Sequence, residues 1–255
     1  MVSTLGTPRV HRSTSRPYPM KWLKNLFGPA MSPEQQKQLE VYKDFRALSR
    51  QLNLELIRQL PPPALPDAGK KLGLSKAGTL ILHQEDEIAI AYDFCLQHFR
   101  RQGKNVIERA LDTATNATPE DHKTYWEGLS RARFSIFLIE EILPHRGARL
   151  RDVVQDEGLE IMDLGLSSTG IEGALIVGRI LFFPHFNMSS GTFIPVAPEI
   201  FETKIKEVID KFQRDAPTPK RVLSSAQSAA FEAQTLRIAL HEGGEDNSFF
   251  TDMEA

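Results

Sequence analysis

A lone cysteine, Cys95, is the first constraint this sequence imposes. One thiol permits no internal disulfide and no thiolate-rich zinc cluster. Such usage fits a reducing interior, so the expected location is cytoplasmic. Long apolar runs are also missing. The best stretch, Ala174 to Pro184, is interrupted by Gly178 and Arg179 and falls short of the roughly 18 to 20 residues a bilayer crossing needs. No serine sits in a Gly-x-Ser-x-Gly elbow. The glycines at 165, 170 and 173 lack the Gly-Lys-Ser/Thr ending whose lysine reaches phosphate, so Gly-Leu-Ser-Ser-Thr-Gly reads as a surface β-turn.

Acid is absent from the first 32 residues, which hold five of the 31 basic residues. The remainder carries 26 basic against 33 acidic residues, a net charge of −7. A body of that sign provides no global field for gathering nucleic-acid phosphate, so any such site must be local. With 41% hydrophobic and 25% charged residues, the composition is that of a chain that folds.

Residues 1–19 are rich in Ser, Thr, Arg and Pro without apolar periodicity and read as disordered. Their profile also suits a transit peptide, while Met20 opens a stretch resembling a bacterial start, which would make the first nineteen residues an over-extension. Trp22, Leu23, Leu26 and Phe27 against Lys21 and Lys24 make a short cationic amphipathic turn over residues 20–27, suited at most to weak peripheral membrane contact.

Ser32, Pro33 and Gln35 form a helix start with a capping box. Leu39, Tyr42, Phe45, Leu48, Leu52, Leu56 and Leu60 then recur every three or four positions. The prolines at 61–63 end that helix, and residues 61–78 read as a semi-rigid connector. A second helix spans 83–102, with Ile88, Ala91, Cys95 and Phe99 on one stripe; others start near Asn105 and at Thr118-Pro119. After Arg131 the period switches from 3.6 to 2. Strands are expected near 133–143, 149–155, 159–164, 174–183 and 191–197, with helix returning at 198–213 and 221–241.

The predicted fold is α+β: a helical N-terminal half, a small antiparallel five-stranded sheet or barrel, and a helical C-terminal segment. The boundaries are residues 1–31 disordered or over-extended, 32–130 helical, 131–198 barrel-like, 199–242 helical and 243–255 an acidic tail. Links this short fit a small, curved sheet or barrel better than a parallel α/β sheet, whose crossovers need a dozen or more residues.

Glu85-Asp86-Glu87 and Tyr92-Asp93-Phe94, followed by Arg149-Leu150-Arg151-Asp152 and Ala174-Leu175-Ile176-Val177-Gly178-Arg179, give a chain that resembles a group of uncharacterised bacterial proteins over roughly residues 70–198. Some members of that group end in a Cys-rich metal-binding tail, which is missing here. The resemblance implies a bacterial, cytoplasmic protein and carries over no catalytic residue.

His83, Glu87, Asp93 and His98 are the densest set of possible metal ligands, but only His83 and Glu87 share a helical face, and a solvated helix start explains them better. No metal or cofactor is expected. Cys95 lies in an apolar stripe, as an inert core thiol would. The β unit holds the one constellation suited to nucleic acid: Arg131, Arg133, Arg146, Arg149 and Arg151 with Phe182 and Phe186. Asp152, Asp156, Glu157, Glu160, Asp163 and Glu172 offset that field. In the acidic tail, Phe249 and Phe250 have the makings of a docking motif for a basic partner. The leading expectation is a non-enzymatic protein acting through protein contacts. A nucleic-acid-binding barrel and an enzyme with a scattered site are the alternatives.

Overall fold

In the computed structural model, residues 32–82, 84–214, 223–242 and 250–251 are described. Helix α1 (Pro33–Arg58) begins as its sequence dictates, the Ser32 hydroxyl accepting from the Gln35 amide while the Gln35 side chain accepts from the Ser32 amide. Its buried face is Tyr42, Arg46, Ser49, Leu52 and Leu56, so two polar residues sit where an apolar stripe would continue.

The stretch expected as a connector contains helix α2 (Ala64–Leu72). Proline is tolerated in a first helical turn, and Ala64, Ala68 and Leu72 recur at helical spacing on a buried face, which overrides the breaker signal. Gly73, at φ 77°, ends it. A small hairpin follows, β1 (Ser75–Lys76) and β2 (Thr79–Leu80). Its turn residues Ala77 and Gly78 both have positive φ. Helices α3 (Glu85–His98), α4 (Val106–Thr113) and α5 (Glu120–Ser130) complete the helical half. Asn105 caps α4 with a second capping box.

The β unit is a closed ring. Strands β3 (Arg133–Leu143), β4 (Gly147–Asp152) and β5 (Glu157–Met162) form a meander, and β3 pairs on its other side with β6 (Leu175–Phe182). Closure comes from β7 (Asn187–Ser189), antiparallel to β6 and touching β5 in parallel at Met162 and Met188. Five strands make the small barrel, as the alternation predicts, but the closing strand is a three-residue one that the sequence does not announce. The expected fifth strand, β8 (Thr192–Val196), runs beside the first half of β6. The glycine-flanked stretch expected as a turn holds helix α6 (Leu164–Thr169), whose start is capped by Asp163 and whose Leu166 plugs the barrel.

Interior positions Phe137, Ile139, Leu150, Ile161, Ile176, Ile180 and Phe193 fill the ring. Their neighbours Ile136, Val177 and Ile194 face outward, into a core shared with α2, α3 and the C-terminal helices. Leu181 and Met188 face a third core shared with α1, α4 and α5. The central strands are thus buried on both faces, which is why β6 reads as an almost unbroken apolar run.

The C-terminal part starts with α7 (Pro198–Ile200), passes through a π-helical turn (Phe201–Ile205) and continues as α8 (Lys206–Arg214). Helix α9 (Ser225–Glu242) packs on α2 and on β6. In the tail, expected to lack structure, β9 (Phe250–Thr251) pairs antiparallel with Thr192 and Phe193 of β8. The described residues form one compact unit.

Candidate functional site

The arginines expected to track nucleic acid are each engaged by acid. On β4, Arg149 is ion-paired with Glu141, its cross-strand neighbour, while Arg151 bonds Glu140 at 2.7 Å and Asp156 at 3.2 Å. Arg146 pairs with Glu160, and Arg131 meets Glu127 at 3.6 Å. Arg133 reaches Glu157 at 2.8 Å and stacks over the Phe182 ring, 5.1 Å from its centre. Phe186 is buried against Tyr42, Phe45 and Phe183. The constellation is therefore a surface of alternating charge, with one of its two aromatics in the core.

Of the possible metal ligands, His83 lies outside the described residues, as does the tail residue Phe249, and Glu87 is buried. Among the described residues no group of three or more His, Cys, Asp or Glu is placed to share a metal ion. Asp93 and His98 do come together, through two residues that sequence reasoning left unused. Arg179, in the middle of β6, donates from Nε to Asp93 at 2.8 Å and from Nη2 to Glu232 at 2.5 Å. The other oxygen of Glu232 lies 2.8 Å from Nε2 of His98. Arg179 and Glu232 are almost fully buried.

Burial by itself would raise the Glu232 pKa, but the Arg179 charge and the His98 and Arg179 hydrogen bonds outweigh it and hold the carboxyl below its ordinary range. For Arg179, burial acts to lower the pKa, and the charges of Asp93 and Glu232 reverse that and keep it above the ordinary value. An ionised Glu232 accepts only, so His98 must donate through Nε2.

This network forms one wall of a cleft of about 360 Å³. His98, Arg179 and Glu232 line it together with Phe134, Phe212 and Phe231, which pack edge to face. Gln155, Ser225 and Ser228 add neutral polar groups. On the far side of Arg179 lies an apolar groove of about 550 Å³ between α1, α3 and the barrel, into which Leu54, Ile57, Ile88, Tyr92 and Asp93 project.

A second buried network ties α1 to the barrel. Arg46 donates to the Ser189 carbonyl at 3.0 Å and hydroxyl at 2.9 Å, and that hydroxyl donates to Asp163 at 2.5 Å. We assign it to holding the closing strand β7. The signal for Arg179 and Glu232 is a charge inside an apolar pattern: Arg179 interrupts the β6 run, and Glu232 shares a helical face with Leu236 and Ala239.

A small closed barrel wrapped by helices, with a buried Arg–Glu–His network opening on a cleft, defines the class. The chain belongs to a family of unknown function (DUF7986), whose profile matches residues 36–225. Asp93, His98 and Arg179 fall inside that span and Glu232 beyond it. Neither the curated proteins nor the solved structures contain a match to the chain.

Proposed function

We propose that the protein is a cytoplasmic binding module whose cleft between the barrel and α9 holds a small, partly apolar molecule. The observation that carries this reading is the Arg179–Glu232–His98 network. Three polar side chains, two of them almost fully buried, line a cleft whose volume lies in the range of small-molecule sites and whose lining also includes Phe134, Phe212 and Phe231. A cluster of that cost in desolvation is weak evidence for stability alone, and its position at a cleft favours a ligand. Binding is a better reading than catalysis because, among the described residues, no hydroxyl or thiol is hydrogen-bonded to His98. The test is a ligand-observed NMR screen of small aromatic compounds against the full chain, repeated on Phe231→Trp, which fills the cleft. Hits lost in the variant support the site. Hits equally strong in both would move binding elsewhere.

A second reading, action through protein contacts, is favoured by Leu54. This side chain is 55% exposed at the apolar groove beside Ile57 and Ile88. Leu54→Asp should leave the melting curve within about 1 kcal/mol of wild type. If the groove docks a protein, that variant loses the contact.

A further inference from the structure

The apolar groove on the far side of Arg179 has a segment of the chain already beside it, an observation independent of the cleft reading above. Leu54 is 55% exposed in this groove, next to the half-buried Ile57, Ile88 and Tyr92. Three charged side chains line it: Arg50, Asp93 and Arg179. Asp93 and Arg179 pair with each other at 2.8 Å. Arg50 is exposed, and no described residue pairs with it. The remaining polar lining, Asn53, Tyr92, Ser190 and Thr192, is neutral. An apolar slot of about 550 Å³ with one uncompensated cation fits a short acidic segment that carries an apolar side chain.

The chain supplies such a segment at the edge of the groove. Strand β9 runs antiparallel to β8, with Thr251 opposite Thr192 and Phe250 opposite Phe193. Thr192 lines the groove, and so do Ser190 and Gly191, the two residues before it. Continuing the antiparallel register sets positions 252 and 253 beside Gly191 and Ser190. The bend at Ser190 and Gly191 ends regular pairing at Thr192, but at about 3.4 Å per residue Met253 still stands within about 7 Å of Thr251. Residues 252–254 read Asp-Met-Glu, an apolar side chain between two acids, and residues 242–255 contain no Lys or Arg. Methionine is unbranched and adapts to an irregular apolar gap.

We propose that residues 252–254, which lie outside the described residues, cross the edge of this groove as a strap in cis. Met253 lies against Leu54 and Ile57, and Asp252 and Glu254 face Arg50. The strap takes Leu54 out of water, so a partner that docks in the groove competes with the chain's own tail.

Paired cysteines in the full chain test the contact. Leu54→Cys with Met253→Cys is compared with Val41→Cys with Met253→Cys under mild oxidation, the buried Cys95 being left in place. Val41 is 40% exposed on the same helix, about 20 Å from Leu54 at about 1.5 Å per residue. Both helix positions are exposed, so the variants keep the fold. The pair at 54 and 253 should close a disulfide within one chain at least about tenfold faster than the pair at 41 and 253, because the strap raises the local concentration of one thiol near the other. Adding Arg50→Glu should slow that closure about threefold, the scale of a surface ion pair turned repulsive. In the chain without substitutions, a nuclear Overhauser contact between the Met253 and Leu54 methyl groups is expected. Equal closure rates for the two pairs, a disulfide found only between chains, or a Met253 methyl without contact to Leu54 or Ile57 overturns the strap. An unchanged rate in Arg50→Glu overturns the charge pairing.

Discussion

Arg179 on β6 and Glu232 on α9, 53 residues apart in sequence, meet at 2.5 Å with both side chains almost fully buried. The pair fastens the last helix to the wall of the barrel, and Asp93 on α3 shares the same guanidinium at 2.8 Å. One cation thus draws together a strand, a central helix and the C-terminal helix. The three elements also meet in a common apolar core through Val177, Ala91, Phe94 and Leu236. The apolar contacts supply the association, and the charges dictate the register in which α9 can lie, because any other register would bury Glu232 without a cation.

Removing the shared cation should therefore be costly. Arg179→Met leaves the buried Glu232 and the partly exposed Asp93 without their shared cation, and a broken buried pair typically costs about 3–5 kcal/mol. Adding Glu232→Gln to that variant should recover part of the loss, so the double substitution is less destabilising than the sum of the singles. Urea denaturation of the four proteins measures this. A cost below about 1 kcal/mol for Arg179→Met would mean the network is peripheral to stability.

Acid should loosen the same junction. The Glu232 carboxyl has a folded pKa below its ordinary value, so its contribution is fully present above the ordinary carboxyl range near about 4.3 and disappears as pH falls through the lower folded value. Wild type should lose stability more steeply than Glu232→Gln when denaturation midpoints are compared from about pH 5 down to about pH 3. Parallel curves for the two proteins would contradict this assignment.

The alternation of apolar residues after Arg131 was enough to place β3, β4, β5, β6 and β8 to within a few residues, and the caps at Ser32 and Asn105 mark two helix starts. What escaped has a physical reason in each case. Helix α2 is hidden behind three prolines that are compatible with its start. Strand β7 is three residues long, and its pairing is secured by Ser189 and Arg46 across 143 residues of sequence, a relation no local pattern carries. The site was half legible: Asp93 and His98 stood out as polar groups on α3, but their partners are tertiary. The acids expected to offset the arginine cluster include its actual partners Asp156, Glu157 and Glu160, whereas Glu140 and Glu141 on the neighbouring strand β3 are partners that only the cross-strand register supplies.

The Cys95 thiol should be silent in the native protein. It is 1% exposed, burial pushes its pKa up from the ordinary 9.0 to about 12, and it donates to the Ala64 carbonyl at 3.3 Å. Iodoacetamide at about pH 8 is expected to leave the folded chain unmodified and to alkylate it fully in denaturant, since the thiolate is the reactive form. The shift also makes stability decline with alkali: the contribution is intact below about pH 9, where the unfolded thiol stays protonated, and is lost as pH rises toward the folded value. Rapid labelling of the native protein, followed by mass spectrometry, would show that α2 and α3 open far more readily than their packing implies.

Gly178 tests how tightly the barrel is built. A Cβ at this position would stand 2.4 Å from a ring carbon of Phe193 and 3.0 Å from the carbonyl oxygen of Thr192. The ring has nowhere to retreat, because Phe193 is fully buried and packs edge to face on Phe137 at 6.2 Å inside the ring of strands. Gly178→Ala should consequently destabilise the protein by about 1–3 kcal/mol, the usual penalty for overpacking a close-packed interior. If the clash with the ring dominates, the same substitution made in a Phe193→Leu background should cost clearly less, the two positions being coupled through one volume. Thermal or urea unfolding of the four proteins gives the coupling directly. An undiminished cost in the Phe193→Leu background would assign the constraint to the Thr192 carbonyl, and so to the spacing of β6 and β8 instead of the packing between them.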